Sequence, residues 1–308
     1  MNPRGLLFGV AAMSLVGSSV GVSELLVDAP LFTAQALRYA VATVVLAAIL
    51  PLAGARVVRP RGREWLWLAG VAATGLVLFN VAIVRGVEHA EPAAIAVAVA
   101  CVPVLLAVVG PMLEHRSPHR RVLAAALVVT TGSVLVVGAG DADPVGVAWA
   151  AVALGCEAGF TLLAVPVLAR HSAWGVSFHS VWIGAAMFLG LGVVVEGPTA
   201  AARLDGGQVA ALAYLAVLVT AVAFVLWYTA VVGLGAGRAG LLAGLAPVSA
   251  ALAGVVLSGR VPGPPVWAGI AVVAAGLVLG LTPARRSPVP VSARARAVSA
   301  PAVGDAPP

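Results

Sequence analysis

The chain has 308 residues, 61% of them apolar and only 10% charged, where a soluble domain carries roughly 25% charged residues. Mean hydropathy is +1.07, and one or two soluble cores could not bury that much apolar surface. The composition excludes a soluble enzyme, a nucleic-acid binder and a disordered chain. The formal net charge is +6 and all 18 basic residues are arginine, scattered over separate loops, so they build no basic face for nucleic acid.

A helix crosses the hydrocarbon core with about 20 apolar residues, and runs of that length exclude a barrel, whose strands alternate over about 10. Ten such runs follow in order, at 5–26, 31–53, 65–86, 91–113, 121–139, 145–168, 173–195, 207–233, 238–258 and 264–282. The first, preceded by Arg4, is too long for a signal peptide and lacks an Ala-x-Ala cleavage site, so it reads as a retained helix. Breakers fill the connections, as in Asp28-Ala29-Pro30, Asp141-Ala142-Asp143-Pro144 and Val261-Pro262-Gly263-Pro264-Pro265. Trp65 and Trp67 read as interfacial anchors. Cys101 and Cys156 lie inside apolar runs with no CxxC spacing, which makes them packing residues. Residues 283–308 have no periodicity and read as a disordered tail.

Arginine asymmetry sets the orientation. With both termini cytoplasmic, the inner side receives Arg4, the Arg56 to Arg63 group, Arg116, Arg120, Arg121, Arg170, Arg238 and the tail arginines. The outer side receives Arg85, Arg203 and Arg260, with Asp28, Glu88, Glu91, Asp141, Asp143, Glu196 and Asp205. The expected setting is the cytoplasmic membrane of the cell.

The chain also repeats itself. Residues 103–137 align with 247–281 at an offset of 144, with fourteen of 35 positions identical, among them Pro103/Pro247, Gly110/Gly254, Arg116/Arg260, Pro118/Pro262 and Gly132/Gly276. Phe79-Asn80-Val81-Ala82 matches Trp227-Tyr228-Thr229-Ala230 at offset 148, and Gly5 to Val27 lies more weakly on Gly146 to Leu168 at offset 141. The expected units are 1–139 and 140–282, five helices each. An odd number of spans per unit inserts the second copy upside down, a plan common among secondary transporters with substrate sites near the midplane at the repeat interface. The expected fold class is therefore all-α integral membrane, with ten transmembrane helices as two inverted five-helix repeats.

The motif-bearing stretches are Gln35-Ala36-Leu37-Arg38-Tyr39, Phe79-Asn80-Val81-Ala82, Val102-Pro103-Val104, Trp227-Tyr228-Thr229-Ala230, Ala246-Pro247-Val248, Gly269 and Gly276. In these, residues 5–282 resemble the EamA-type transporters of the drug/metabolite transporter superfamily. The chain departs from that pattern at Val16-Gly17, where a Trp-Gly pair is usual, and after the fourth and ninth helices, where Arg116 and Arg260 stand in place of Glu. The resemblance implies export of amino acids and other small metabolites. It also favours Asn80 and Tyr228, taken as repeat mates, as linings of a central cavity.

Ionisable residues inside a membrane are functional candidates by default. Glu157 lies near the centre of the sixth run, among small residues in Gly155-Cys156-Glu157-Ala158-Gly159. Hydrocarbon penalises its ionised form, so proton exchange there can be coupled to substrate. The alternative is a structural Glu paired with an arginine or a backbone group. Arg38 suits a substrate carboxylate held bidentately, a lock on Glu24 or Glu157, or simple snorkelling to the outer surface. His179 reads as a proton relay or a satisfied packing histidine. Asn80 and Tyr228 read as cavity linings or interhelical hydrogen-bond partners. Pro103 and Pro247 free backbone carbonyls inside their helices. The group Arg85, Glu88, His89 and Glu91 is a solvated loop or an outer gate.

No Gly-x-x-x-x-Gly-Lys-Ser/Thr occurs, so ATP-driven transport by this chain is not expected and no cofactor or metal is called for. No H-E-x-x-H, G-x-S-x-G or Asp/His cluster supports an enzyme. The leading reading is a proton-coupled exporter of small polar metabolites such as amino acids, working by alternating access. The alternatives are proton-antiport of cationic drugs and a channel or non-transporting membrane subunit. The expected partners are a small-molecule substrate and the lipid bilayer, with no nucleic acid and with a homodimer left open.

Overall fold

The computed structural model describes residues 2–258 and 261–282. The expected tail at 283–308 and Arg260 lie outside them. Among the described residues ten helices are long and apolar enough to cross a membrane: α1 Pro3–Leu26, α2 Leu31–Leu52, α3 Glu64–Gly86, α4 Pro92–Leu113, α5 Arg120–Val137, α6 Pro144–Leu162, α7 Val165–Val195, α8 Gly206–Leu234, α9 Ala236–Val256 and α10 Pro264–Leu281. The chain is a multi-pass membrane protein, all-α, built as two inverted repeats of five helices.

Eight of the ten spans fall close to their expected limits; the end of the sixth and the start of the seventh do not. The sixth was expected to run to residue 168, but α6 ends at Leu162 and α7 opens at Val165. Pro166 lacks the N–H that would bond the Leu162 carbonyl. The chain then bends within α7 at Ser172, whose φ of 57° and ψ of 173° are non-helical. The seventh span was expected to begin just after this bend, and a short helical segment of α7 precedes it.

Side chains close the helix ends. Asn2 accepts from the backbone N–H groups of Arg4 and Gly5, Asp143 accepts from Gly146, and Asp205 forms a reciprocal capping box with Gln208. Two caps cross between repeats. Glu196, after α7, accepts from Phe32 and Thr33 at the start of α2, both at 2.8 Å. Glu114, directly after α4, accepts from the Ala236 N–H at the start of α9 at 2.8 Å. Glu114 thus places an acid directly after α4, two positions before Arg116.

The repeats interlock. Helix α1 packs on α8 and α9 of the other repeat, and its counterpart α6 packs on α3 and α4. Repeat mates also pack directly, α2 on α7, α4 on α9 and α5 on α10. Glycines set the close crossing of α5 and α10. A Cβ on Gly132 would stand 2.6 Å from the Val273 nitrogen, and one on Gly269 would stand 2.7 Å from the Gly132 oxygen. With no hydrophobic drive between helices in lipid, such backbone contact supplies the packing energy.

Both repeats carry a π-helical segment at the same place, Ala72–Leu78 in α3 and Leu215–Val222 in α8. These mates stand at an offset of 143 to 144. The pairing of Asn80 with Tyr228 at offset 148 is therefore about one helical turn out of step. The slip arises because α8, with 29 residues against 23 in α3, extends further at its C-terminal end.

Candidate functional site: a cavity on the repeat axis

The two repeated prolines break their helices at equivalent points. Helix α4 is interrupted between Val99 and Val102, and α9 passes through a 3-10 turn at Leu242–Gly244. Pro103 and Pro247 have no N–H to offer the carbonyls four residues back, at Val99 and Ala243. The hydroxyl of Thr130 on α5 donates to the Ala100 carbonyl at 3.1 Å, satisfying one group that the α4 break exposes.

Around these breaks lies a cavity of about 460 Å³, large enough for a small metabolite. Repeat mates face each other across it. Pro103 and Pro247, Val102 and Ala246, Ala100 and Gly244, and Val99 and Ala243 all line its wall. So do Val16 and Glu157, mates at offset 141. The cavity therefore sits on the pseudo-two-fold axis, at the repeat interface.

Its wall is mostly apolar, and Glu157 is the one ionisable side chain among the described residues that line it. No described residue hydrogen-bonds to Glu157 or pairs with it. The pairing with Arg38, or with any other arginine, is not made.

Most lining residues lie on one side of the midplane, at the middle and in the C-terminal halves of α1, α3, α5 and α9 and in the N-terminal half of α4, whereas Glu157, in the C-terminal half of α6, sits deeper, past the middle of its helix. In the opposite half small residues bring helices close together, beside a second cavity of about 860 Å³ whose lining includes Glu114, Arg116, Trp174, Gly233 and Arg238. A Cβ on Gly110 would stand 2.8 Å from that of Ala236, one on Gly240 would stand 2.6 Å from that of Leu106, and one on Gly5 would meet Gly233 at 3.4 Å.

The other candidates are not brought into this cavity. Arg38 donates through Nε to the Thr220 hydroxyl at 2.9 Å and through Nη1 to Gln35 Oε1 at 3.4 Å, and lies 5.2 Å from the Tyr39 ring centroid. Thr220 belongs to the α8 π segment at mid-helix, so the guanidinium reaches inward and does not snorkel to the surface. Asn80 joins the same network, accepting from Gln35 Nε2 at 3.2 Å while donating to Leu76 O at 2.7 Å. The network ties α2, α3 and α8 together. It contains neither Glu24 nor Glu157, which removes Arg38 as a lock on either acid.

Tyr228 is fully buried and donates to the Phe160 carbonyl at 2.9 Å, so it joins α8 to α6 outside the cavity wall. His179 is satisfied on both ring nitrogens. Trp182 Nε1 donates to its Nδ1 at 3.1 Å, and its Nε2 faces the Val58 carbonyl at 3.0 Å. That arrangement fits the packing role and leaves no nitrogen free for a relay. The group Arg85, Glu88, His89 and Glu91 forms an exposed loop, with Arg85 on Glu88 at 3.2 Å and His89 on Asp143 at 3.0 Å. The Gly146 backbone N–H, and then His89, hold the Asp143 carboxyl below its ordinary value.

Two features escaped the sequence. Ser133 lines the cavity with its hydroxyl unpartnered, and one serine in an apolar helix gives no signal. At the other end of the bundle, Glu64 accepts from Arg170, from His171 and from the Arg61 backbone. Arg170 and His171 come from the first turns of α7, more than a hundred positions away, so no motif marks them.

Comparison with known proteins follows the same repeat. The EamA-like transporter family model matches residues 3–138 and again 144–282. The chain belongs to the EamA-like transporter family. It is thus a transporter and not an enzyme, and it moves small molecules across a membrane as a secondary transporter. An uncharacterized transporter of Bacillus subtilis (strain 168), YetK, is 29% identical over 262 residues, 80% of this chain and 78% of that one. A probable terminal-alkyne amino-acid exporter of Streptantibioticus cattleyicolor is 30% identical over 246 residues, 79% of this chain and 81% of that one. One crystal structure superposes with a TM-score of 0.76 at 20% identity, over 93% of this chain and all of the other. That likeness shows the fold alone.

Proposed function

We propose that this EamA-like protein exports small polar metabolites, amino acids with compact apolar side chains foremost, in exchange for protons. It works by alternating access in the cytoplasmic membrane with both termini inside. The observation that carries the reading is Glu157, a lone unpaired carboxyl on the wall of an axial cavity between inverted repeats. One carboxyl can take a proton or a substrate ammonium group but not both, which is the elementary requirement for exchange. The apolar remainder of the wall suits an apolar side chain. A relative carrying the description of a terminal-alkyne amino-acid exporter supports the same class. With the termini inside, most of the cavity wall lies toward the outside and Glu157 lies at its deep end.

The test is uptake into proteoliposomes under an imposed pH gradient, with a pool of amino acids and a few organic cations. The expected result is gradient-driven movement of an apolar amino acid, lost at least tenfold in Glu157→Gln while that variant still folds and inserts. Transport by Glu157→Gln with the wild-type pH dependence would refute the reading. A second reading, export of cationic drugs, is favoured by one observation: Arg38 lies outside the cavity and cannot meet a substrate carboxylate there. Movement of cations alone would select it.

A further inference from the structure

The cavity has a second polar element. Ser133 on α5 is 0% exposed, lines the cavity and has no hydrogen-bond partner for its hydroxyl. A serine in a helix ordinarily turns its hydroxyl back to a carbonyl three or four residues earlier, and this protein does so repeatedly. Ser19 bonds Val16 O, Thr74 bonds Gly70 O, Thr131 bonds Leu127 O and Thr229 bonds Val225 O. Ser133 does not. Its neighbour Thr130 already serves the α4 break, whereas the Ser133 hydroxyl faces the α9 break, where a Cβ on Gly244 would stand 3.1 Å from it.

The repeat sharpens the contrast. At offset 144 Ser133 corresponds to Leu277, and at offset 141 Glu157 corresponds to Val16. Ser19 also lines the cavity, but its hydroxyl is spent on Val16 O, so the first repeat offers one unpartnered hydroxyl and the second one carboxyl, each absent from its mate. A buried hydroxyl left unpaired costs free energy, and a ligand that accepts its hydrogen bond removes that cost.

We infer that Ser133 is a specificity-determining residue that donates its hydroxyl hydrogen bond to the carboxylate of a substrate whose ammonium group is held at Glu157. The substrate class is then a zwitterionic α-amino acid with an apolar side chain, as against a simple amine. The inference rests on the transport reading above. It supplies the partner for a substrate carboxylate that Arg38, outside the cavity, does not.

The test uses the purified full chain at neutral pH and the labelling of Glu157 by a hydrophobic carbodiimide, read at the Glu157 peptide by mass spectrometry. Protection is titrated with leucine and with isoamylamine, the same molecule without its carboxylate. In the wild type leucine protects at lower concentration than isoamylamine. In Ser133→Ala the half-protecting concentration of leucine rises about tenfold or more, as for a hydrogen bond to a charged group, and that of isoamylamine stays unchanged. Ser133→Ala removes an unpaired hydroxyl from a packed wall, so folding is retained, and an unshifted melting temperature checks it. An equal change for both probes, or no change for either, overturns the assignment. Protection by isoamylamine without leucine overturns it and leaves the cationic reading standing. Protection by neither overturns the amine-exchange reading beneath it as well.

Discussion

Gly17→Ala tests whether backbone contact between α1 and α9 holds the cavity wall. Gly17 lines the cavity, and a Cβ there would press on the Ala246 carbonyl, 2.5 Å from Ser249 Cβ and 2.8 Å from the Ala250 nitrogen. Carbon contacts are comfortable near about 3.5 Å, so α9 must move by up to about 1 Å, and as a body, because two of the three obstacles are its backbone. Overpacking of this kind costs about 1–3 kcal/mol, while alanine gains about 1 kcal/mol over glycine in helix propensity. Gly155→Ala is the control. Gly155 lies in α6, with nothing within 4 Å of its added Cβ, so only the propensity gain applies. That gain cancels between the two variants, and Gly17→Ala is expected to be less stable than Gly155→Ala by about 1–3 kcal/mol. Reversible denaturant unfolding of the full chain in mixed micelles measures the difference. If Gly17→Ala proves as stable as Gly155→Ala, the contact is not holding the wall and the argument from glycine packing is wrong.

Tyr228→Phe removes the hydroxyl bonded to Phe160 O; stability should fall by about 1 kcal/mol, with the KM for transport unchanged because Tyr228 does not line the cavity. A changed KM at unchanged stability would instead return Tyr228 to the site. Asp143 gives a pH effect. Its carboxyl is held low in the folded chain by the Gly146 N–H and then by His89, so its contribution is present above the ordinary carboxylate value and disappears as pH falls through the lower folded one. Melting temperatures across the window below about pH 4 should therefore drop more steeply in the wild type than in Asp143→Asn, and parallel curves would show that the cap has no such role.

Much of the fold was legible because each crossing must satisfy its own backbone in lipid, which writes every helix into the sequence as a long apolar run. The repeat was legible through its rarer residues, Pro103/Pro247 and Gly132/Gly276, which recur because the same helix break and the same close crossing recur. The inner end of the sixth span was not, since the run from Val145 to Leu168 stays apolar through Leu162 and only Pro166 records the stop. The site was half legible. Glu157 announced itself as an acid in hydrocarbon, and the structure puts it on the repeat axis. Arg38, Asn80, Tyr228 and His179 carried the same kind of signal, yet each meets partners inside the bundle away from the cavity. A polar residue in an apolar run looks alike in sequence whether its partner is a substrate, a neighbouring hydroxyl or a loop carbonyl.

The sequence by itself determined the ten crossings, the duplication and the inversion that an odd number of spans imposes, because those depend on length and hydropathy along one strand of chain. Tertiary structure alone decided which polar groups share a wall. It laid α1 on the opposite repeat, set Val16 and Glu157 in the wall of one cavity, and left the Ser133 hydroxyl beside the α9 break with nothing to bond. Those outcomes turn on helix rotation and on contacts between residues more than a hundred positions apart, which the order of residues along the chain does not fix locally.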